Sequence, residues 1–181
     1  MNDYDAVPTG YRSSIPTGAQ GTLQRSDASH IGKPEMTSTT DAEPVELAWR
    51  GAFTNREVNA LHAQAFDTAV FGDDEWDWQR LTSRHSLGWV TARRRRELVG
   101  FANLLWDGLV HAWIQDVMVA RSARRQGIGV AVVRACRDAA RDAGCEFLHV
   151  DFDDDLRDFY FGACGFEPTN AGLIDLTASD D

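Results

Sequence analysis

The sequence predicts one α/β domain, of the α+β kind, with a mixed central sheet and helices on both faces. Strand-like and helix-like stretches follow one another in the order β-α-α-β-β-β-α-β-α-β. The strand–helix–strand unit across residues 110–152 should be a right-handed parallel crossover. The two strands before it are joined by a short polar segment and should form an antiparallel hairpin. With 181 residues and 43% hydrophobic content, the chain suits one domain with a substantial core.

Residues 1–44 are predicted to be a disordered or loosely packed tail, and residues 45–181 are predicted to be the folded domain. Four of the five prolines and many Ser and Thr residues lie in this tail, whereas few large apolar residues do. Such a composition buries too little apolar surface to offset the entropy that is lost on ordering.

The first half of the domain begins with a predicted strand, VELAWRG. The next stretch, TNREVNALHAQAF, predicts an amphipathic helix that Thr54 and Glu57 open as a capping box. DDEWDWQRLTSRH, at residues 73–85, predicts a second, shorter helix. LGWVTARR and ELVGFANLLW are rich in β-branched and aromatic residues and predict the hairpin, with the four arginines at 93–96 as its solvated tip.

The second half alternates strands and helices. HAWIQDVMVA predicts a strand, the amphipathic stretch from Gly127 to about Ala143 predicts a helix that Gly144 ends, and EFLHVDF predicts the next strand. DDDLRDFYFGAC predicts a short helix closed by Gly165, and its aspartates suit the positive N-terminal end of that helix. GLIDL, at residues 172–176, is the last predicted strand.

Composition and charge exclude several classes of function. Asp and Glu outnumber Lys and Arg by 28 to 18, which argues against a nucleic-acid binder and an anionic membrane surface, and mildly favours cationic small molecules. The three cysteines form no CxxC pair, so we expect neither a metal site nor disulfides. The sequence shows no secretory signal pattern and no apolar run of membrane length, and we therefore expect a cytoplasmic protein.

The stretch ARRQGIGVAVV predicts an anion site at the start of a helix. Gly127 and Gly129 let the backbone approach a ligand closely, and the helix N-terminus adds partial positive charge. Arg121, Arg124 and Arg125 add electrostatic attraction. The stretch lacks the Lys of a P-loop and the third glycine of a dinucleotide-binding fingerprint. An ordinary glycine-containing helix start with solvated arginines is the alternative.

Two motifs resemble the GNAT superfamily of acetyl-CoA-dependent N-acyltransferases. Residues 124–129, RRQGIG, match the Q/R-x-x-G-x-G/A signature of that family, and FYFGACGF resembles its late helix with a Gly-Phe ending. The order of elements over about 45–176 also agrees. The resemblance implies a GNAT-like mixed central sheet in which parallel strands four and five, here 112–119 and 146–152, splay apart and admit the pantetheine arm.

The resemblance also implies acetyl-CoA as the cosubstrate and no metal. Main-chain groups of the fourth strand would pair with the pantetheine amides, and N–H groups of the glycine loop would hold the pyrophosphate. The residues implied to contact the coenzyme are Val117, Met118, Val119, Arg124, Arg125, Gln126, Gly127, Ile128, Gly129, Val130 and Asp154. The last of these stands where many family members carry Asn.

Two residues are predicted to serve the acceptor chemistry. An alkylammonium must lose a proton before it attacks, and a carboxylate or a His can take that proton. Asp116 is the first candidate, because it lies on the strand beside the expected thioester, where some family members carry an acidic residue. The alternative is an exposed or hydrogen-bonded Asp on a strand edge. His149, which shares a strand face with Asp151, is the second candidate, and a structural His is its alternative.

One position departs from the family pattern. Counting back from the Gly-Phe ending places Phe161 where many members carry a general-acid Tyr, while Tyr160 is expected to pack into the core. Phe cannot protonate a departing thiolate. Trp76 and Trp78 lie in the region that forms the acceptor wall in relatives. We expect one of them to pack inward and the other to line the pocket, and the alternative is that both are core or surface residues.

The resemblance and the residues together predict an N-acetyltransferase. It would move an acetyl group from acetyl-CoA to a primary amine of a small molecule or peptide, by direct attack in a ternary complex. The alternative is an acyl-CoA-binding sensor or regulatory subunit with little catalysis, which Phe161 favours. We expect no nucleic-acid or membrane partner. Homodimers are common in the family, although no sequence feature here indicates one.

Overall fold

The computed structural model describes residues 43–177. The predicted tail at 1–44 lies outside the described residues apart from its last two. Five strands form one sheet in chain order, namely β1 (Val45–Trp49), β2 (Gly88–Arg94), β3 (Glu97–Trp106), β4 (His111–Val119) and β5 (Phe147–Val150). Strands β1 to β4 pair antiparallel, and β4 pairs with β5 in parallel, which confirms the predicted mixed sheet.

Three α-helices pack on the sheet, namely α1 (Asn55–Phe66), α2 (Trp78–His85) and α3 (Ile128–Asp142). Two neighbouring residues of β3 show which face of the sheet α2 covers and which face α3 covers. The ring of Phe101 meets Trp78 of α2 edge to face at 5.8 Å, whereas a Cβ built at Gly100 would lie 3.1 Å from Ile128 of α3. Because successive side chains of a strand point to opposite faces, α2 and α3 lie on opposite sides of the sheet, as predicted.

The first two helices start at capping residues. In α1, Thr54 and Glu57 form the predicted capping box, with the Glu57 carboxylate accepting the Thr54 N–H at 2.8 Å. The sequence predicted that helix α2 begins at residue 73, but it begins at Trp78. Asp77 caps it by accepting the N–H of Arg80 at 3.0 Å, and residues 73–75 form a turn instead.

The chain after β5 differs from the prediction. Residues 153–164 form a 3-10 turn at Asp154–Leu156 and a π-type turn at Asp158–Ala163 instead of one short α-helix. The predicted strand GLIDL is also wrong, because a strand needs a hydrogen-bonded neighbour and residues 172–176 join no strand of the sheet. Its aliphatic side chains are 81–96% exposed, and they belong to Leu173, Ile174 and Leu176.

The core lies between the sheet and the helices. Strand β3 is buried from Leu98 to Leu104, and α3 adds one apolar side whose buried members include Val132 and Cys136. Tyr160 is only 5% exposed, as expected, and burial raises its pKa to about 12. No helix within residues 43–177 combines the length and the apolar character that crossing a membrane would require.

Candidate functional site

The glycine loop between β4 and α3 has the backbone of an anion cradle. Arg125 (φ 62°) and Gly127 (φ 79°) both adopt the left-handed conformation, which turns nearby N–H groups toward a common side. Gly127 is the N-cap of α3, and its carbonyl accepts the N–H of Ala131 at 3.0 Å. The N–H groups of the first turn of α3 have no carbonyl acceptor within the helix. A Cβ at Gly127 would meet no atom of residues 43–177 within 4 Å, so these residues leave the space in front of the loop open.

Two of the three arginines predicted to attract the anion are engaged elsewhere. Arg121 and Arg124 both donate to the carbonyl of Gln64, at 3.1 and 3.3 Å, and Arg121 also pairs with Asp67 at 2.7 Å. These acceptors lie at the C-terminal end of α1, where unpaired carbonyls carry partial negative charge. The side chains of Arg121 and Arg124 therefore fasten the loop to α1, and their predicted attraction of the anion stays a prediction. Of the three, Arg125 alone has no side-chain partner within the described part of the chain.

The arginines of the β2–β3 hairpin are not all solvated, contrary to the prediction. Arg93 is half-buried and pairs with Glu57 at 2.8 Å. Arg94 is also half-buried, and its guanidinium donates to the side-chain carbonyl of Gln126 in the glycine loop. Long Arg side chains can bury their stems in this way and still present a charged head. Arg94 therefore borders the loop, and no local pattern indicates this because 32 positions separate it from Gln126.

The remaining loop residues offer main-chain groups more than side chains. Ile128 is 5% exposed, and Gln126 donates to the carbonyl of Ser122 at 3.2 Å. A Cβ at Gly129 would come within 3.1 Å of Phe159, so this glycine permits close packing of α3. The backbone of the loop is therefore the part left for a ligand.

Strand β4 carries a bulge at Asp116. Its register with β3 shifts between Phe101 and Asn103, so that Asp116 and Val117 both stand opposite Ala102. Asp116 has φ 54°, a left-handed conformation in which Asp and Asn are enriched among residues other than glycine. The bulge therefore sets the direction of the Asp116 side chain through an unusual backbone conformation.

The parallel strands separate just before this bulge, as the resemblance implied. Their pairing ends at Ile114 and Val150, whereas β4 continues to Val119. The main chain of Val117 and Val119 therefore has no β5 partner. The Met118 side chain is fully buried, so that residue can offer a ligand only its backbone.

Asp116 carries a carboxyl group that accepts no hydrogen bond from residues 43–177. It is half-buried, and burial raises its pKa from the ordinary 3.8 to about 6. A group with that pKa is mostly ionised at neutral pH and can both take and release a proton. Asp116 thus matches neither the exposed nor the hydrogen-bonded alternative, and its role as a base stays a prediction.

His149 of β5 lies beside a second histidine. The Nε2 atom of His149 and the Nδ1 atom of His111 are 2.8 Å apart. Trp113 and Phe147 flank the pair, with ring centroids 5.0 Å from His149 and 5.1 Å from His111, respectively. His111 is not among the residues predicted from the sequence. Alternate positions of both strands carry His or an aromatic residue, and this pattern is the signal that could have found it.

The histidine pair lies on the α2 side of the sheet. Trp113 stands opposite Leu105 of β3, which alternation places on the same face as Phe101. Phe101 contacts α2. His149 stands opposite Trp113 in the parallel register and so shares that face.

A cavity of about 580 Å³ extends around β5. Its walls include Trp113 and His149 on one side, Arg134 of α3 on the other, and Phe161 from the turn after β5. Phe161 therefore supplies an apolar wall where the family pattern would supply a hydroxyl. Within residues 43–177, no group of three His, Cys, Asp or Glu side chains is arranged to hold a metal ion.

Asp154 lies at the start of the turn that follows β5. Its side chain is 95% exposed and pairs with Arg157 at 3.1 Å. The guanidinium of Arg157 also lies over the ring of Phe161, 5.1 Å from its centroid. Asp154 is thus linked through Arg157 to the cavity wall, and the predicted contact with the coenzyme stays a prediction.

The two tryptophans of the predicted acceptor wall stack on each other. The rings of Trp76 and Trp78 are 5.9 Å apart with an interplanar angle of 17°. Trp78 is fully buried, which confirms that one ring packs inward. Asn59 joins them, because its Oδ1 accepts the Trp78 Nε1–H at 2.7 Å and its Nδ2 donates to the Trp76 carbonyl at 3.2 Å. Burial against this aromatic group lowers the pKa of His62.

Replacing Asn59 with Ala should lower the free energy of unfolding by about 1–3 kcal/mol, because the buried Trp78 N–H would lose its acceptor. Urea unfolding followed by tryptophan fluorescence measures this change. Asn55→Ala, one turn earlier, is the matched control and should cost less, because its partners Asp77 and Gln79 reach solvent. Equal losses in the two variants would show that burial of the Trp78 hydrogen bond has no special effect.

Comparison with known proteins identifies a family. The model of the acetyltransferase (GNAT) family matches residues 53–166. A curated relative, the probable glucosamine 6-phosphate N-acetyltransferase 2 of Oryza sativa subsp. japonica, is 40% identical over 53 residues, which are 29% of this chain and 31% of the relative. The match thus spans about a third of that relative's length.

Solved structures share the fold. Glucosamine-6-phosphate N-acetyltransferase from Arabidopsis thaliana superposes with a TM-score of 0.61 at 16% identity, over 75% of this chain and 100% of that one. AAC(6')-Iy, solved in complex with the bisubstrate analog CoA-S-monomethyl-acetylneamine, gives a TM-score of 0.61 at 16% identity, over 76% and 100% of the two chains. At these identities the likeness concerns the fold.

Proposed function

The chain belongs to the acetyltransferase (GNAT) family, and from that premise we propose that it transfers an acetyl group from acetyl-CoA to a primary amine of a small molecule or peptide. The amine attacks the thioester directly in a ternary complex. One arrangement carries this proposal. A single strand–loop–helix unit holds the open edge of β4, the bulge with the Asp116 carboxyl, and the backbone cradle at Gly127. That carboxyl has no hydrogen-bond partner in the described part of the chain.

Acetyl-CoA carries its acetyl group as a reactive thioester. We propose that main-chain groups of β4 and the glycine loop bind this coenzyme. The N–H groups from Arg125 to Val130 would hold the pyrophosphate. The Arg125 guanidinium, which is unpaired within residues 43–177, adds positive charge. The backbone of Val117 and Val119 would pair with the pantetheine amides. A main-chain N–H at the β4 bulge would meet the thioester oxygen, and such a donor commonly contributes roughly 3–4 kcal/mol in the transition state.

Asp116 would take the proton that the acceptor must lose. An alkylammonium cannot attack while its lone pair is protonated, and a carboxylate whose pKa is about 6 is ionised at neutral pH. No group of residues 43–177 donates a hydrogen bond to this carboxylate, so it can accept a hydrogen bond from a ligand. These properties support Asp116 as the general base.

Incubation with acetyl-CoA and a panel of amines tests the proposal. The panel should hold glucosamine 6-phosphate and neamine, which the names of the relatives suggest, together with a polyamine and a lysine-containing peptide. We expect at least one amine to release free CoA thiol and to gain an acetyl group by mass spectrometry. Thiol release that never exceeds the rate without amine, for any member of the panel, would contradict the proposal.

A second candidate function is an acyl-CoA sensor with little catalysis. The observation that favours it is Phe161, which lines the cavity at the position of the expected general acid. A sensor would gain thermal stability when acetyl-CoA is added, since a ligand that binds the native state raises the melting temperature. It would nevertheless leave every amine of the panel unmodified, and this separates it from the enzyme.

We also propose a cytoplasmic location. The three cysteines are free thiols, and thiols of this kind persist in a reducing compartment. Fractionation of the source cells tests this, and recovery of the chain in an oxidising compartment would contradict it.

A further inference from the structure

The hydrogen bond between His111 and His149 has the geometry of a directed pair. The two nitrogen atoms are 2.8 Å apart, while the ring centroids are 5.1 Å apart and the planes differ by 29°. The rings therefore meet side by side, and a hydrogen on one nitrogen lies close to the plane of the other ring, where the lone pair is. Each ring fixes the protonation of the other, because one nitrogen must donate and the other must accept.

The pair lies next to the gap between the parallel strands. His149 stands opposite Trp113, and the next pair along the strands, Ile114 and Val150, is the last one before β4 and β5 separate. His149 also lines the cavity around β5. Its second ring nitrogen, Nδ1, has no hydrogen-bond partner within the described residues. A free nitrogen at this place is available to a bound molecule.

Charged side chains of both signs lie around the pair, and Arg134 and Arg137 of α3 line the cavity with His149. Asp107 Oδ1 accepts the main-chain N–H groups of Leu109 and His111, at 2.8 and 3.1 Å. Burial alone would raise the pKa of Asp107, but these N–H groups and the nearby His111 hold it below its usual value. Asp151, which follows the last residue of β5, lines the same cavity as His149. Burial and the Asp107 charge raise the pKa of Cys145, so this thiol stays neutral.

The proposed reaction moves two protons away from the acceptor nitrogen. An ammonium nitrogen carries three hydrogens and the product amide carries one, so two protons leave the nitrogen as the C–N bond forms and the C–S bond breaks. One of them ends on the sulfur of free CoA and the other reaches solvent. Asp116 can hold one proton at a time, and Phe161 has no hydroxyl with which to relay the other. A second side-chain acceptor would let both protons leave the nitrogen without Asp116 first releasing one.

We propose that His111 is a positioning residue whose Nδ1 accepts the Nε2 hydrogen of His149 and so leaves the Nδ1 of His149 unprotonated, as the second proton acceptor. This inference rests on the proposed acetyl transfer. In the opposite arrangement, His111 would donate from Nδ1, and the neutral His149 would carry its hydrogen on Nδ1 and could not act as a base. The Asp107 carboxylate, which accepts the His111 main-chain N–H at 3.1 Å, lies beside the pair.

Two substitutions of His111 separate positioning from simple packing. In His111→Asn, the amide oxygen stands near the place of Nδ1 and can still accept the hydrogen from His149. In His111→Phe, the ring preserves the row formed with Trp113 and Phe147 but offers no acceptor. A packing role predicts that Phe is tolerated and Asn is not, whereas the positioning role predicts the reverse.

Steady-state kinetics on the full chain gives the first measurement. We expect His111→Phe to lower kcat at least about 10-fold and to change the pH dependence of kcat, because the loss of a positioned base acts on the chemical step. The KM for acetyl-CoA should stay unchanged, and His111→Asn should keep most of the wild-type kcat. Wild-type kcat in His111→Phe, or equal damage in both variants, would overturn the proposal.

Nuclear magnetic resonance of the ¹⁵N-labelled imidazoles gives a measurement that needs no turnover. The chain has five histidines, and a His149→Asn variant assigns the signals of His149. Wild-type His149 should carry its hydrogen on Nε2 at pH 8, and His111→Phe should yield a mixture of both tautomers. Hydrogen on Nδ1 in the wild type would overturn the positioning role. If no amine is acetylated but the Nε2 form is found, the proposed function fails while the hydrogen-bond assignment stands.

Discussion

Replacing Asp116 with Asn should lower kcat by about 10²- to 10⁴-fold, the range over which general bases contribute, and should also stabilise the fold at pH 8. Asn keeps the size of the side chain and tolerates the φ of 54° at the bulge, but it cannot take a proton. The affinity for acetyl-CoA, measured by calorimetry, should be nearly unchanged, because the predicted coenzyme contacts at β4 are main-chain groups.

The gain in stability follows from the pKa of Asp116. Its ordinary value is 3.8, and burial raises it to about 6 in the folded chain. Between these values the native state binds more protons than the unfolded state, so stability falls as the pH rises through this window and is flat above it. The full difference corresponds to about 3 kcal/mol as an order of magnitude. Asn carries no charge to desolvate, so its advantage should be largest at pH 8 and should shrink toward pH 5.

Asp142→Asn on the exposed end of α3 is the matched control and should change neither kcat nor the melting temperature. Thermal denaturation at pH 5 and pH 8, together with kcat at saturating acetyl-CoA, completes the comparison. Unaltered turnover in Asp116→Asn would remove this residue as the base. A melting temperature that rises equally at both pH values would contradict burial of the ionised carboxylate as the cause.

Replacing Gly127 with Val should raise the Kd for acetyl-CoA at least about 10-fold, which is 1.4 kcal/mol of binding free energy. The φ of 79° at Gly127 costs a residue with a Cβ roughly 1–2 kcal/mol, and a β-branched residue is the least tolerant. A Cβ there would meet no atom of the described residues within 4 Å. The side chain would therefore take up space in front of the cradle, where the pyrophosphate is proposed to bind, and would displace the N–H groups as the backbone relaxes.

Gly127→Asn separates these two causes. Asn accepts left-handed backbone angles, so this variant should keep the melting temperature of the wild type while still placing a side chain in front of the cradle. Isothermal titration with coenzyme A measures both variants. A wild-type Kd in Gly127→Val would contradict the assignment of the loop. A wild-type Kd in Gly127→Asn alone would show that the backbone angle, and not the occupied space, weakens binding in the Val variant.

The elements that the sequence predicted well are those with local causes. The capping box at Thr54 and Glu57 and the glycine-bounded helix α3 depend on residues close together in the chain. The mixed sheet follows from the order of the elements, since a hairpin is antiparallel and a crossover is parallel. The position of the phosphate loop has the same origin, because a strand, two glycines and an amphipathic helix are adjacent.

The parts that the sequence could not predict depend on distant neighbours. Arg121 and Arg124 carry charge suited to an anion, but in the fold both side chains also donate hydrogen bonds to the Gln64 carbonyl at the end of α1. His111 and His149 are 38 positions apart, and only the register of two parallel strands brings them together. The bulge at Asp116 likewise depends on the register of β4 with β3. The residue pattern within β4 does not predict this register.

The bare aliphatic side chains of Leu173, Ile174 and Leu176 bear on how the protein behaves at high concentration. Sheet edges and clustered exposed aliphatic groups are the places where separate molecules adhere, and within residues 43–177 the outer edge of β5 has no strand beside it. The net charge of -10 opposes such adhesion by repulsion between molecules, and added salt screens that repulsion. Colloidal stability of concentrated samples therefore depends on low ionic strength.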